Sequence, residues 1–161
     1  MKAKDIKYIV IHCTAGFGEL ASIKKYWKEV LGWNGYGYHR IVRLSGKTHK
    51  LKPFGKVVNG VKGFNHESIH ISYIGGVDPK NYKIAKDTRT NHQKDSLVKN
   101  IIDALDWIHL NGGDASKVKI LGHRDLASTD KNNNGIIDSW ERVKECPSFD
   151  AIEEYKWLSK K

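Results

Sequence analysis

Cysteine and proline are both scarce in this chain, with two and three residues among 161. Two cysteines form at most one disulfide, and a chain of this length folds around a hydrophobic core without that support. Repeats, low-complexity segments and proline-rich linkers are also lacking, which excludes repeat architectures and flexible spacers. The simplest expectation is therefore one domain over residues 1–161.

Long apolar runs are missing as well. No window approaches the roughly 18 consecutive apolar residues that a membrane span requires, so we expect no span. The first residues, M-K-A-K-D-I-K-Y-I-V, lead directly into a strand-like segment and show no signal-peptide pattern. The expectation is a protein that is made in the cytoplasm, with release by cell lysis as one route to the outside.

Acidic residues are in the minority, because 28 lysines and arginines face 18 aspartates and glutamates and give a formal net charge of +10. Such a charge favours a polyanionic partner, for example nucleic acid or an anionic cell wall. The lysines are scattered, without the basic arm or stripe of nucleic-acid-binding motifs, so nucleic acid is not the expected partner. A solvated basic surface is the alternative. We expect a monomer.

Hydrophobic periodicity predicts strands that alternate with helices. Runs of β-branched residues and strict alternation predict strands, and a period near 3.6 predicts helices. The predicted strands are 6–12, 38–44, 48–51, 68–74 and 118–121, and the predicted helices are 20–33, 91–110 and 149–158. This order indicates an α/β fold, a single domain with a central mixed β-sheet flanked by helices.

Three potential metal ligands lie at the ends of these elements. His12 ends the first strand, His123 follows the last strand, and Cys146 comes after a polar loop. Ligands from strand ends and loops suit a catalytic zinc site, which keeps its fourth position open for water. Spacing alone is weak evidence, because the chain has eight histidines and a lone histidine is more often structural.

Six short motifs occur in order along the chain. They are I-V-I-H-C-T-A at 9–15, G-Y-G-Y-H-R at 35–40, G-F-N-H-E-S-I at 63–69, Y-I-G-G at 73–76, G-H-R-D at 122–125 and K-E-C-P-S-F-D at 144–150. Together they resemble the zinc-dependent N-acetylmuramoyl-L-alanine amidases of the amidase-2 and peptidoglycan-recognition fold, which include amidase-type phage lysozymes (endolysins). The resemblance implies that the substrate is peptidoglycan and that the amide between N-acetylmuramic acid and L-alanine is hydrolysed.

Carried over position by position, the resemblance implies that His12, His123 and Cys146 hold one Zn²⁺ ion and that Tyr38 and Lys144 are catalytic. Three ligands leave zinc an open position, where the pKa of bound water falls to about 7. The amide also needs hydrogen-bond donors for its oxyanion and leaving nitrogen, which a lysine ammonium and a tyrosine hydroxyl supply. The alternatives are a buried thiol for Cys146, a core aromatic for Tyr38 and a solvated charge for Lys144.

The resemblance also implies that Asn65, His66 and Ser68 lie beside the substrate groove. Asn-His between a glycine and a strand is equally ordinary turn chemistry, so this assignment has a structural alternative. The other histidines have no such assignment. We expect His39 to be structural or to support a ligand, and His49, His70, His92 and His109 to be surface or packing residues.

The neighbours of the predicted ligands should support them. Consecutive residues of a strand point to opposite faces, so Cys13 should lie in the core as a free thiol rather than in a disulfide with Cys146. Arg124 and Asp125 should brace the loop that carries His123, because metal-binding imidazoles need supporting partners.

Residues 130–141, D-K-N-N-N-G-I-I-D-S-W-E, match the spacing of a twelve-residue calcium-binding loop. Asparagine at two ligand positions predicts weak Ca²⁺ affinity, and no helix is predicted before the loop. One interpretation is a weak structural cation site, and the other is a turn that needs no ion. The ligand positions are Asp130, Asn132, Asn134, Asp138 and Glu141.

Two other functions are compatible with the same sequence. The first is a non-catalytic peptidoglycan-recognition module on the same fold, although such modules typically lack the cysteine found here at Cys146. The second is a nucleic-acid or regulatory binder, which would require a clustered basic face. The lack of a signal peptide and of a separate wall-binding segment favours a phage lysin that is released by a holin.

Overall fold

The computed structural model describes residues 1–160. Its strands are β1 (Tyr8–Cys13), β2 (Arg40–Val42), β3 (Thr48–Lys50), β4 (Ser68–Tyr73), β5 (Val77–Asp78), β6 (Asn81–Ala85) and β7 (Lys119–Gly122). Its α-helices are α1 (Leu20–Lys25), α2 (Asn91–Leu110), α3 (His123–Ala127) and α4 (Ala151–Tyr155). Short 3-10 turns lie at Ala3–Asp5, Asn65–Glu67, Ala115–Lys117, Ser139–Glu141 and Leu158–Lys160, and a π-helical turn at Tyr26–Val30.

Within residues 1–160, five strands form one mixed sheet in the order β3-β2-β4-β1-β7. β1 pairs in parallel with both β4 and β7, and β4 also pairs in parallel with β2. β3 closes the edge as the antiparallel partner of β2. β1 and β4 are therefore interior strands, and nearly all of their residues are buried. The predicted α/β fold with a central mixed sheet is confirmed.

Helix α2 covers one face of this sheet. It begins with a capping box in which Thr90 Oγ1 accepts a hydrogen bond from the Gln93 backbone N–H and Gln93 Oε1 accepts one from the Thr90 N–H. The residues of α2 that repeat at the helical period are fully buried against the sheet; they are Leu97, Ile101, Ala104 and Ile108. The helix predicted at 91–110 is confirmed at both ends. None of the helices in residues 1–160 combines the length and apolar character needed to cross a membrane.

The first predicted helix, 20–33, differs from the observed structure. Regular α-helix stops at Lys25 and continues as the π-helical turn, and Gly32 then adopts a φ of +66° that ends the segment. The turn buries Trp27 and leaves Tyr26 exposed. Helical periodicity places these aromatic side chains on one apolar stripe, so the sequence pattern alone does not reveal the wider turn.

Two further differences concern the edges of the fold. The hairpin of β5 and β6 was not predicted, because every residue of β6 is exposed and the segment lacks the buried face that gives strands their signal. The predicted helix 149–158 is shorter in the structure, since the Asp150 side chain caps the N–H of Glu153 and α4 ends at Tyr155.

Arg89 fastens α4 to the segment that precedes α2. Its side chain is 1% exposed, and its Nη1 and Nη2 each lie 2.8 Å from a carboxylate oxygen, of Glu154 and Asp87 respectively. The guanidinium carbon also lies 3.3 Å from the centre of the Phe149 ring. Because α4 follows directly after Cys146, this cluster fixes the end of the chain relative to the candidate metal site.

Replacing Arg89 with alanine should lower the free energy of unfolding by roughly 2 kcal/mol. Removing one partner of a buried ion pair costs about 3–5 kcal/mol, and partial exposure of the two carboxylates reduces this cost. Urea denaturation measures the change. Arg43→Ala is the control, because Arg43 forms an exposed pair with Glu19 at 2.7 Å and should contribute at most about 1 kcal/mol. Equal effects of the two substitutions would contradict the anchoring role of Arg89.

Candidate metal centre and substrate groove

Side-chain alternation gives the two interior strands, β1 and β4, two chemically different faces. The isoleucines of both strands belong to the core cluster beside α2, together with Cys13 and Tyr73. Val10 belongs to a separate cluster on the other face, with Val61 and Leu121. By the period of two, His12 shares that second face. Polar side chains are therefore brought to the face opposite α2.

Parallel pairing then brings two candidate ligands together. β1 and β7 are neighbours, and their carboxyl ends lie at the same edge of the sheet, with Ile11 opposite Gly122. His12 follows Ile11 on β1, and His123 follows Gly122 as the first residue of α3. The two imidazole rings have their centres 4.8 Å apart.

Cys146 reaches the same edge from the C-terminal segment. Its Sγ accepts a hydrogen bond from the Cys13 backbone N–H at 3.2 Å and lies 4.0 Å from Nδ1 of His12. The ligand atoms of His12, His123 and Cys146 all lie within 4.8 Å of one another. A tetrahedral zinc ion holds such atoms about 3.5 Å apart, so small side-chain rotations would close the site. Two imidazoles and one thiolate also form a donor set that zinc accepts in catalytic sites.

Burial sets the protonation of these groups. It lowers the pKa of His12 well below its ordinary value, with His123, His70 and Lys144 lowering it further. Burial also lowers the pKa of His123 to about 4, and the charge of Lys144 adds to this effect. Both imidazoles are therefore neutral near pH 7, which is the form that binds metal ions. Burial raises the pKa of the Cys146 thiol, which a bound cation would counteract.

Cys13 lies where alternation predicts. It is buried in the core beside α2, and both cysteines are free thiols. Its backbone N–H faces Cys146 Sγ, and a hydrogen bond with the Cys146 side chain lowers the pKa of the Cys13 thiol.

The segments that carry His123 and Cys146 are tied to each other. The Arg124 backbone N–H donates to the Cys146 carbonyl at 2.8 Å, and Asp125 Oδ2 accepts the Gly122 N–H at 2.8 Å. The buried Arg124 guanidinium also lies within 4.0 Å of carboxylate oxygens of Glu145 and Asp150. Arg124 and Asp125 therefore brace this segment, and they do so mainly through backbone groups.

A groove with a volume of about 1340 Å³ adjoins the candidate centre. Aromatic side chains and the loop around Gly60 line it, together with His123 and Lys144. Among the described residues that line it there is no aspartate or glutamate, so the positive charges of Lys62 and Lys144 are not neutralised within the groove.

Tyr38 and Lys144 both line this groove. The Tyr38 ring is half-buried, with its centre 4.9 Å from that of His12. Burial raises the pKa of the Tyr38 hydroxyl, which therefore stays protonated as a hydrogen-bond donor. Lys144 is exposed, but it lies close enough for its charge to lower the pKa of both His12 and His123.

The three predicted substrate-binding residues have different positions. Asn65 and His66 line the groove, although Asn65 Oδ1 also accepts the Val61 N–H at 2.8 Å and so supports the turn. Ser68 is fully buried and does not line the groove, which corrects that assignment. The physical reason is that Ser68 is the first residue of β4, a strand that is buried along its whole length.

The position of His70 beside a candidate ligand was not predicted, because a surface or packing role was expected for it. His70 is fully buried, and its Nδ1 lies 3.0 Å from Nε2 of His12. The alternation S-I-H-I-S-Y could have indicated this position, because it places His70 on the face opposite Ile69 and Ile71. His39 is buried and structural, as predicted, whereas His49 is half-buried and His92 and His109 are exposed.

Loop 130–141 is closed by its own hydrogen bonds. Asp138 Oδ2 accepts from the side-chain amides of Asn132 and Asn134, both at 3.0 Å. The buried Glu141 carboxylate accepts backbone N–H groups at both ends of the loop, including that of Asp138 at 2.9 Å. Gly135 has a φ of +84°, the conformation expected at the sixth position of a calcium-binding loop. This geometry is compatible both with a weak structural cation site and with a turn that needs no ion.

The fold and the site define an α/β protein with a candidate His-His-Cys metal centre beside a groove. A family model described as N-acetylmuramoyl-L-alanine amidase (Amidase_2) matches residues 2–136. The chain therefore belongs to the N-acetylmuramoyl-L-alanine amidase family. The matched residues include His12 and His123 and end before Lys144 and Cys146.

Individual relatives agree with this membership. An endolysin of Enterobacteria phage K11 is 27% identical over 156 residues, which covers 92% of this chain and 85% of that protein. The N-acetylmuramoyl-L-alanine amidase LysC from Clostridium intestinale has a similar fold, with a TM-score of 0.66 at 19% identity over 99% of this chain and 89% of that one. The ectodomain complex of peptidoglycan recognition proteins LCa and LCx with bound tracheal cytotoxin gives a TM-score of 0.69 at 18% identity, covering 99% and 87%.

Acid should destabilise the metal-free protein, in part through His39. Burial lowers the pKa of His39 to about 4, whereas an unfolded histidine titrates near 6.5. As the pH falls, the unfolded chain therefore takes up a proton at this histidine before the folded chain does. The stability that folding gains from the neutral imidazole is complete above pH 6.5 and is lost as the pH falls towards 4. The contribution of His39 is on the order of 3 kcal/mol.

Urea denaturation between pH 4 and pH 7.5, with a chelator present, measures this dependence. His39→Gln keeps an acceptor and a donor for the two hydrogen bonds of the ring, which it forms with the His70 N–H and the Lys56 carbonyl. The variant should lose less stability on acidification than the parent. Identical pH profiles of the two proteins would show that His39 does not contribute to the loss of stability in acid.

Proposed function

We propose that the protein is a zinc-dependent amidase that hydrolyses the amide bond between N-acetylmuramic acid and L-alanine in peptidoglycan. The observation that carries the proposal is the convergence of His12, His123 and Cys146, whose ligand atoms lie within 4.8 Å of one another beside a groove. Family membership and the similarity to a phage endolysin support it.

Bound zinc would polarise the amide carbonyl and lower the pKa of a water molecule to about 7. The residues of this chain supply the remaining functions. The Tyr38 hydroxyl stays protonated beside His12 and donates a hydrogen bond to the reacting group. The Lys144 ammonium, which lines the groove, stabilises the negative charge that develops on the carbonyl oxygen.

The groove suits a peptide substrate that bears carboxylates. Its lining contains lysines and, among the described residues, no acidic side chain. Asn65 and His66 are also lining residues and offer polar contacts. The formal net charge of +10 favours retention on an anionic wall. We propose that the protein acts as a monomer on the cell wall after synthesis in the cytoplasm, as a phage lysin does.

A non-catalytic peptidoglycan-recognition module is the second candidate. The similarity to a recognition-protein ectodomain complex supports it, because that complex has a similar fold and binds tracheal cytotoxin. Cys146 favours the enzyme, since a module that only binds has no need of a thiolate beside two neutral imidazoles.

Cys146→Ser should remove both zinc and activity. The parent should contain about one zinc ion per chain and release new L-alanine N-termini from purified peptidoglycan. Loss of a ligand should lower zinc affinity by at least about 100-fold, because even supporting residues of metal sites cost 10–100-fold. Metal analysis and mass spectrometry of the muropeptides measure the two effects. Ser68→Ala is the control for zinc content, because Ser68 is buried at the start of β4 and its hydroxyl has no hydrogen-bond partner within residues 1–160.

Tyr38→Phe and Lys144→Met separate catalysis from metal binding. Both variants should keep zinc and lose about 100-fold or more in rate, the usual cost of removing one donor to an oxyanion. A zinc-free parent that binds cell walls without releasing N-termini would instead support the recognition module.

We also propose that loop 130–141 binds Ca²⁺ weakly and thereby fixes Lys144 and Cys146 relative to His123. The match to the spacing of a calcium-binding loop supports the proposal. The carboxylates of Asp130, Asp138 and Glu141 now accept hydrogen bonds from groups within the loop. Binding would require the amides of Asn132 and Asn134 to turn their oxygens inwards, because they now donate to Asp138.

Calcium should raise the melting temperature of the zinc-loaded protein by about 3–5 °C at a concentration tenfold above Kd. Differential scanning calorimetry with and without Ca²⁺ measures the change. Asp138→Asn should abolish the increase, because it removes charge at a ligand position. A melting temperature that does not respond to Ca²⁺ would contradict the proposal and support the interpretation of the loop as a turn that needs no ion.

A further inference from the structure

His70 lies in direct contact with the candidate metal ligand His12. In the parallel pairing of β1 with β4, Ser72 is opposite His12 and His70 is opposite Val10. His70 is therefore the diagonal neighbour of His12 on the same face of the sheet. Both imidazoles are fully buried, and their ring centres are 5.2 Å apart.

The two nitrogens of His12 face different partners. Nδ1 lies 4.0 Å from Cys146 Sγ, on the side of the candidate metal centre, and Nε2 lies 3.0 Å from Nδ1 of His70. A ligand nitrogen must be free of its proton, so metal binding through Nδ1 requires the His12 proton to be on Nε2. The protonated Nε2 of His12 then donates a hydrogen bond, and Nδ1 of His70 accepts it.

The surroundings of His70 fix its ring in this place. Its backbone N–H donates to Nδ1 of His39 at 3.0 Å, and Nε2 of His39 donates to the Lys56 carbonyl at 2.8 Å. The rings of His39 and His70 are stacked with an interplanar angle of 8°. Nε2 of His70 is buried and has no hydrogen-bond partner among residues 1–160. The ring therefore forms its hydrogen bond through Nδ1, and the partner is His12.

Gly60 provides the space for this ring. A Cβ atom at residue 60 would lie 2.2 Å from Nδ1 of His70 and within 2.5 Å of two further ring atoms. No φ in the left-handed range is involved, so the requirement is for space and not for backbone freedom. The groove loop can therefore cover His70 only because residue 60 has no side chain.

We propose that His70 is the positioning residue of the metal site and that Gly60 makes this possible. His70 accepts the hydrogen bond from Nε2 of His12, selects the tautomer that presents Nδ1, and holds the ring towards His123 and Cys146. The inference rests on the proposed zinc site and adds a residue that the sequence motifs do not include.

The test compares His70→Leu with His70→Asn in the full chain. The two side chains have similar size, but only asparagine places an acceptor oxygen near the position of Nδ1. Competition with a chromophoric chelator should give a 10–100-fold lower zinc affinity for His70→Leu and substantial recovery for His70→Asn. Ser68→Ala is the matched control, because Ser68 is buried on the same strand and its hydroxyl has no partner within the described residues.

Two further measurements separate positioning from a structural role. In nitrogen-15 NMR spectra of the zinc-loaded parent, His12 should carry its proton on Nε2, and this resonance should weaken or shift in His70→Leu. Gly60→Ala should also lower zinc affinity, and the effect should be smaller in the His70→Ala background, where the ring atoms that it would contact are gone.

The outcomes distinguish the two proposals. If the parent takes up no zinc, the proposed metal centre and the role of His70 both fail. If the parent binds zinc and folded His70→Leu binds it with equal affinity, the positioning role alone is overturned. Equal loss in the leucine and asparagine variants, or additive effects of Gly60→Ala and His70→Ala, would also overturn it.

Discussion

The parallel pairing of β1 with β4 is the constraint on which the rest of the structure depends. It places residues of the two strands side by side from Tyr8 to Cys13, so that alternation assigns each side chain to one of two faces. The isoleucines pack beneath α2 and stabilise the fold, while His12 is brought to the groove face. A slip of one residue would exchange the two sets, which would turn His12 towards α2 and the isoleucines towards the candidate metal centre. The burial that stabilises the sheet thus also fixes the position of the candidate ligand.

The site joins segments that are far apart in sequence, and main-chain hydrogen bonds set their distances. The Cys13 N–H faces Cys146 Sγ, and the Arg124 N–H faces the Cys146 carbonyl, so β1 and the start of α3 are both tied to the C-terminal segment. Beyond Cys146, the buried Arg89 pairs with Glu154 and holds α4 in place. Because backbone groups make the contacts nearest Cys146, side chains in the groove are free to serve binding and chemistry.

The sequence predicts those parts of the molecule whose burial leaves a periodic trace. The strands β1, β4 and β7 and the helix α2 have continuous or regularly spaced apolar residues, and all were predicted. The π-helical turn at Tyr26–Val30 depends on how Trp27 packs against aromatic residues further along the chain, which periodicity does not encode. The contact of His70 with His12 depends on a diagonal across strands 58 residues apart in sequence. Ser68 was assigned from a motif, and its burial follows from the sheet around it.

The charges around the site favour a neutral hydrogen-bond acceptor for His12. Imidazoles contribute no charge, so with Zn²⁺ in place the thiolate of Cys146 would leave a net charge of +1, to which Lys144 adds another. A carboxylate as the acceptor for His12 would cancel part of this field, whereas the neutral ring of His70 leaves it intact. The groove has no acidic side chain among its described lining residues that would cancel it either. In the proposed amidase reaction, this positive field would stabilise the negative charge that develops on the carbonyl oxygen.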